Sequence, residues 1–362
     1  MRWRRVSVLT LVINTLWMQN IVTDKDDCKC KIQTLCEPIS SSRVVQTEVF
    51  VFHRERNNWE EYHWSKITTI VVSGAVEDDF YCLAHSYNVR LVFEAVLTMD
   101  ELIMKESWMS TKIVLVRTYK LDGIYINVRD KLNKGAQNYH ELTRMVIKSA
   151  SLFRSELPGR QISFNVPWTP NCKNERCFDF LPISYAFDLF IVHSFNIRND
   201  MQDGCVAMSS SSYHDVLTGL SDYIKLGVDS RKLVMGIPWF GYDYTCKRFS
   251  QAGGCELENT SHCGYELGMW LPYETIIQRL PRSLTGRLWN DDRCTPYFVY
   301  MDGKTYHQVW YDDPESISMR STFLKKLKLG GIGVMKLNDV DHSRTAWAAL
   351  HAEEMWNALC PP

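Results

Sequence analysis

Excess charge of either sign is missing from this chain: 41 Lys and Arg stand against 42 Asp and Glu in 362 residues, for a formal net charge of −1. Lys and Arg are dispersed and form no basic stripe, so the electrostatic footprint of a nucleic-acid partner is lacking and nothing favours a polyanion. Internal repeats and low-complexity stretches are lacking as well. No paired Cys-x-x-Cys knuckles occur, which removes the usual spacing of a structural zinc site, and neither a metal nor an organic cofactor is expected. After the first 23 residues no run is long and apolar enough to span a bilayer, so no membrane contact is expected beyond that segment, and the protein is read as a monomer.

What is there begins with Arg2, Arg4 and Arg5 ahead of the apolar run Val6 to Met18. That is the charge order of a signal peptide, and the run is short for a membrane span. Residues 1–23 are therefore read as a leader and 24–362 as the mature domain, with an uncleaved anchor as the alternative. All 12 cysteines follow the leader, from Cys28 to Cys360. An even number in that position reads as a disulfide set in an oxidising compartment. Asn259-Thr260-Ser261 is a glycosylation sequon in a polar, cysteine-rich loop, in keeping with the secretory pathway.

Hydrophobic residues make up 45% of the chain, enough for one large core. Strand-like runs occur at Val49 to Phe52, Ile67 to Val72, Val89 to Phe93, Gly123 to Val128, Gln161 to Val166, Leu189 to His193, Lys232 to Ile237 and Gly331 to Met335. Helical patterns lie between them, as at Gln137 to Leu157 and Ser316 to Leu329. This α/β alternation predicts a (β/α)8 TIM barrel, whose functional side chains project from the C-terminal strand ends. Two segments exceed a minimal barrel, and the first, Asp27 to Ser42, packs three cysteines into a short lead-in that reads as a staple of the N-terminus. Residues of about 240–310, between strands seven and eight, contain a helical pattern at Tyr273 to Leu280 and a hairpin about Asp302-Gly303, and read as an inserted subdomain over the barrel mouth.

The stretch from Tyr119 to Asp130 organises the rest. Ile124, Ile126 and Val128 alternate with Tyr125, Asn127 and Arg129, the period of a strand with its polar side chains on one face. The stretch resembles the barrel-strand signature of glycoside hydrolase family 18, the chitinase-like enzymes, written Asp-Gly-x-x-x-Asp-x-Glu. Asp122 and Gly123 match it, while Asn127 stands at the second Asp and Arg129 at the final Glu, the family's general acid. Further likeness lies in Trp64-Ser65-x-Ile67-Thr68-Thr69, in Met235 to Cys246, and in His307 to Asp312. It runs from about Asp27 to Trp356 and points toward lysosomal, exo-acting members, so the lysosome or the extracellular space is expected.

The resemblance implies a substrate-assisted retaining mechanism, in which the sugar's own N-acetyl oxygen attacks the anomeric carbon. The protein would supply a proton donor, an Asp to orient the acetamide and a Tyr hydroxyl to hold it. Arg129 cannot donate the proton, because guanidinium stays charged at every lysosomal pH. That change alone removes a factor of about 10² to 10⁴ from acid catalysis. Asn127 is neutral, the family's Tyr-Asp pair after strand six aligns with Phe195-Asn196, and the Trp that floors the sugar site aligns with Met335.

Other groups remain to be weighed. Asp130 is one odd step from Arg129 and should face away from the lumen. Asp122, at the strand start, is expected to pair with Arg129 inside the barrel, since a buried cation needs a partner. Trp239, Tyr242, Tyr244 and Trp310, with Asp243 as a hydrogen-bonding group, either stack against sugars or pack the subdomain on the barrel. Trp59, Trp64, Trp108, Trp168 and Trp356 read as core. His193 falls where strand six should end. These readings converge on a barrel with an altered site that binds N-acetylglucosamine oligosaccharides or serves a structural role without hydrolysis. The alternative is a functioning exo-glycosidase acting on such oligosaccharides.

Overall fold

The computed structural model describes residues 28–42, 47–54, 58–102, 106–136, 139–172, 176–197, 205–250, 254–258 and 267–359. The leader at 1–23 and the sequon at Asn259 lie outside the described residues. Within them, eight parallel strands close into a barrel in the order β1-β15-β7-β6-β5-β4-β3-β2. These are β1 (Glu48–Phe52), β2 (Thr69–Val72), β3 (Arg90–Leu97), β4 (Gly123–Val128), β5 (Gln161–Pro167), β6 (Leu189–His193), β7 (Leu233–Ile237) and β15 (Gly331–Val334). Helices α1 (Asp78–Ser86), α2 (Met99–Leu102), α3 (Glu106–Thr118), α4 (Tyr139–Glu156), α5 (Phe180–Ala186), α6 (Tyr213–Leu226), α8 (Pro314–Lys326) and α9 (Ala346–Leu359) alternate with them. The (β/α)8 barrel read from the sequence is the one observed.

β3 runs to Leu97, past the Phe93 end that the sequence suggested. Glu94 interrupts the apolar run and mimics a strand end, yet Ala95, Val96 and Leu97 go on to pair with Ile126, Asn127 and Val128.

Strand parity sorts side chains into two cores. Outward residues such as Leu91, Phe93, Ile124, Ile126 and Phe164 meet the helices, together with Trp64, Trp108, Trp168 and Trp356. Inward residues stack in layers, as barrel interiors do. Glu48, Thr69 and Arg90 form the lowest layer, with Thr69 bonded to Glu48 and Arg90 paired to it at 3.4 Å. Above them Phe50, Val71, Val92, Tyr125, Ile191 and Val234 fill the lumen, with Phe52 and Met335 toward the top. Tyr125 sets its ring 5.1 Å from that of Phe52 and 5.9 Å from that of Phe50. The barrel axis is therefore packed, and any ligand must sit above this layer.

Between β7 and β15 the chain builds a second, antiparallel sheet of order β11-β8-β14-β13-β12. Its strands are β8 (Phe240–Thr245), β11 (Gly268–Pro272), β12 (Leu288–Asn290), β13 (Thr295–Asp302) and β14 (Thr305–Trp310), accompanied by α7 (Tyr273–Arg279) and a small pair, β9 (Arg248–Phe249) and β10 (Cys255–Glu256). The β13–β14 turn uses Gly303 at φ 59°, a left-handed value that glycine adopts without strain. Disulfides Cys28–Cys36 and Cys30–Cys82 fasten the lead-in to itself and to α1, while Cys172–Cys177 and Cys246–Cys255 close short loops.

Asp122 lies at the foot of β4 and corrects one expectation. Its Oδ1 accepts from the Ile39 amide at 2.8 Å, and its Oδ2 accepts from the Leu91 amide at 2.7 Å and meets His85 Nε2 at 3.0 Å. No bond joins it to Arg129, because the seven residue steps between them, at about 3.3 Å each, put the two more than about 20 Å apart, and the odd separation turns them to opposite faces. Gly123 beside it is required by packing: a Cβ there would stand 2.2 Å from the Gln161 carbonyl oxygen. The Asp-Gly pair is thus a structural fastening of β4 to its neighbours. Asp122→Ala should lower the unfolding free energy by about 2–4 kcal/mol in urea titration, since it strands buried donors.

Candidate functional site at the barrel mouth

The upper layer of the lumen is polar where strand parity points Glu94, Asn127, Asn165 and His193 inward. Asn165 Nδ2 donates to Asn127 Oδ1 at 2.6 Å, and Asn127 Nδ2 donates to Glu94 Oε1 at 3.1 Å. Glu94 Oε2 in turn accepts from Arg54 Nη1 at 2.5 Å, with Arg54 Nη2 3.3 Å from Oε1. Arg54 follows β1 and lays its guanidinium 5.8 Å above the Phe52 ring. Glu94 is only 7% exposed. Burial alone would raise its pKa, but the hydrogen bond and charge of Arg54, the Asn127 amide and the charge of Arg129 outweigh it and hold the carboxyl below the usual range.

His193 ends β6 with Nε2 3.4 Å from the Tyr125 hydroxyl and its ring stacked on Phe195 at 5.0 Å. Burial, reinforced by the charges of Arg176 and Arg54, pushes its pKa down to about 3. The imidazole is neutral throughout the physiological range and offers no cationic acid.

Arg129 stands just past the end of β4, exposed, its amide bonded to the Leu97 carbonyl at 3.2 Å. Arg176 Nη2 donates to the adjacent Val128 carbonyl at 2.7 Å. Asp130 faces the other way, as parity requires, and its Oδ2 accepts from the Met99 amide at the start of α2. Phe195 packs edge-on against Phe240 at 5.5 Å. Asn196 adopts a left-handed φ of 55° and accepts a hydrogen bond from the Tyr242 hydroxyl at 2.7 Å.

Of the two readings of the aromatic candidates, sugar stacking or packing, burial favours packing. Trp239 has no exposed surface and packs edge-on against Trp356 at 5.1 Å, inside the helix-facing core. Tyr242, Tyr244 and Trp310 belong to the core of the inserted sheet with Phe240, Cys246 and Cys255. Trp310 is stacked on Tyr297 at 4.5 Å and donates from Nε1 to Gln308, and Tyr244 donates to the Met208 carbonyl at 3.2 Å. Asp243 is saturated by Arg279 Nη1 at 2.8 Å, the Tyr300 hydroxyl at 2.5 Å and His307 Nδ1 at 3.0 Å. Met335 fills the lumen. Tyr242, Tyr244, Trp310 and Asp243 pack the subdomain, Trp239 the helix-facing core and Met335 the lumen, so each of these side chains is buried.

Residues that the sequence did not single out take their place. Trp270 on β11 is 37% exposed, lies 6.0 Å from the Phe240 ring, and has Lys336 Nζ 3.5 Å from its ring centroid. Ring contacts therefore run from Trp270 through Phe240 and Phe195 to His193, one continuous wall of the mouth. A cavity of about 250 Å³, lined by His53, Arg54, Trp59, Ser73, Glu77 and Phe80, opens at the ends of β1 and β2. Glu94 and Arg54 carried a faint signal, a charge within or just beyond an apolar strand; Trp270 carried none.

Because the pKa of Glu94 is lowered on folding, its ion pair stabilises the fold fully above its ordinary value of 4.5, and the contribution fades as pH falls through the depressed one. Glu94→Gln should therefore cost about 1–3 kcal/mol of stability at neutral pH, with the gap from the parent narrowing in acid denaturation below about pH 4.

Comparison with known proteins agrees with this architecture. The glycosyl hydrolases family 18 profile matches residues 93–339. Di-N-acetylchitobiase of Homo sapiens is 36% identical over 343 residues, covering 92% of this chain and 89% of that protein. The Rattus norvegicus di-N-acetylchitobiase is 36% identical over 344 residues, 93% of each chain. Among solved structures, YKL-39 determined in the presence of chitooligosaccharides superposes with a TM-score of 0.66 at 16% identity, over 86% of this chain and 98% of that one. On these grounds the chain belongs to glycosyl hydrolase family 18, as a relative of the di-N-acetylchitobiases.

Proposed function

We propose that this protein binds N-acetylglucosamine-containing glycans at its barrel mouth and does not hydrolyse them. One observation carries the reading: where β4 ends, the side chain is Arg129, and the inward carboxylate beside it, Glu94, is kept ionised by Arg54. A glycosidic oxygen leaves only if protonated, and an acid already deprotonated cannot supply the proton. The surrounding guanidinium charge would also oppose the cation that develops at the anomeric carbon. Trp270, 37% exposed, would offer an apolar face to pyranose C–H surfaces once Lys336, whose Nζ lies 3.5 Å from its ring centroid, moves aside. The disulfides support a secretory-pathway setting, lysosomal or extracellular.

A second reading, hydrolysis of di-N-acetylchitobiose, is favoured by the names of the relatives that share 36% of residues over nearly the whole chain. It would make Glu94 the acid, released from Arg54 when substrate arrives.

The two readings separate in one assay, incubation of the mature chain with di-N-acetylchitobiose between about pH 4 and 7, where a tuned carboxylic acid would titrate. We expect no N-acetylglucosamine above the no-protein control, together with a tryptophan-fluorescence shift that is lost in Trp270→Ala. Release that disappears in Glu94→Gln would overturn the proposal in favour of hydrolysis. Absence of both release and fluorescence shift would reduce the protein to a scaffold.

A further inference from the structure

The mouth is more basic than the chain. Three guanidinium groups are gathered around the end of β4, in a protein whose overall formal charge is −1. Arg54 arrives from the end of β1 and Arg176 from the segment after β5, bonded to the carbonyl of Val128. Arg129 is the next residue of that same backbone. Lys336, at the end of β15, brings a fourth cation to the Trp270 side of the mouth. Facing them are Glu94, engaged with Arg54 and Asn127, Asp130, engaged with the Met99 amide, and Glu77, which lines the cavity beside Arg54. The charges felt by His193 are those of Arg176 and Arg54, both cationic.

From this arrangement we infer that the glycan taken at the mouth is an acidic one, an amino-sugar oligosaccharide carrying carboxylate or sulfate groups. The inference rests on the glycan-binding reading above and specifies its ligand class. Like charges held together repel, and a bound anion relieves that repulsion. Guanidinium presents a planar fork that fits carboxylate and sulfate oxygens in pairs, and it is weakly hydrated, so it gives up water at low cost. A neutral oligosaccharide would exploit none of this.

The neighbouring groups indicate a saccharide as the carrier of that charge. Trp270 supplies a stacking face within the same wall, and a cation already sits over its ring. Asn165 is 1% exposed and, among the described residues, its Oδ1 has no hydrogen-bond partner, although its amide nitrogen is fixed on Asn127. A buried acceptor left open in this way is satisfied by a hydroxyl or N–H of a ligand substituent. The packed layer of Tyr125, Phe52 and Met335 below keeps the ligand near the rim, where Arg129 is exposed.

The test compares two probes by isothermal titration with the full mature chain: a hyaluronan hexasaccharide, in which glucuronate alternates with N-acetylglucosamine, and neutral chitohexaose. We expect the acidic probe to bind about tenfold tighter or more, with the preference shrinking between about 50 and 200 mM salt as the charges are screened. Arg129→Gln, a change at an exposed position, should cost the acidic probe about tenfold in affinity. Arg231→Gln, an exposed arginine at the foot of the barrel, serves as the control and should leave the preference intact. Equal or weaker binding of the acidic probe would overturn the inference, as would failure of both probes to bind. Release of N-acetylglucosamine in the hydrolysis assay would sink the non-hydrolytic reading separately, without bearing on charge preference.

Discussion

A half-buried ion pair holds the barrel mouth in its present form. Arg54 and Glu94 bring β1 and β3 together at the top of the lumen, and Glu94 passes the constraint to Asn127 and Asn165 on β4 and β5. Four strands thereby share one hydrogen-bonded chain. Loss of either charged partner would leave the other desolvated without compensation, which is the usual reason such pairs resist change. It also lowers the pKa of the carboxylate, so in the proposed reading the contact that orders the mouth is the same one that withholds a proton donor.

Below that chain the lumen is closed by rings. Tyr125 sits between Phe50 and Phe52, and Met335 and Phe195 complete the layer. The effect is a shallow site with a hydrophobic floor, a rim of guanidinium groups and one wall of aromatic rings in contact that ends at Trp270. The chemistry available to such a site is recognition by stacking, hydrogen bonding and charge. In the proposed reading such a site would lack a proton donor for a leaving oxygen, since burial lowers the pKa of His193 and Arg54 lowers that of Glu94.

Much of the fold was legible because parallel barrel strands are buried on both sides and read as short β-rich runs; Gly123–Val128 and Leu189–His193 have the bounds that the sequence indicated. The failures share a cause, the non-local character of burial. Trp239, Tyr242, Tyr244 and Trp310 have the composition of a sugar platform, but only tertiary packing shows their faces to be covered. Asp122 and Arg129 flank one strand, but their odd separation of seven residues puts them on opposite faces, and the length of the strand lies between them. Glu94 was passed over because a charge inside an apolar run reads as a strand end. The basic mouth was invisible for a related reason: Arg54, Arg129 and Arg176 are far apart in sequence and meet only when the barrel closes.

The most direct check of this account is an experimental structure of the protein with an N-acetylglucosamine oligosaccharide bound. It should place a pyranose ring against Trp270 at the rim, with the Glu94 carboxylate still paired to Arg54 and the Tyr125 layer closed beneath. A sugar seated over Tyr125, with Glu94 parted from Arg54 and within about 3 Å of the glycosidic oxygen, would contradict it and make Glu94 a working acid.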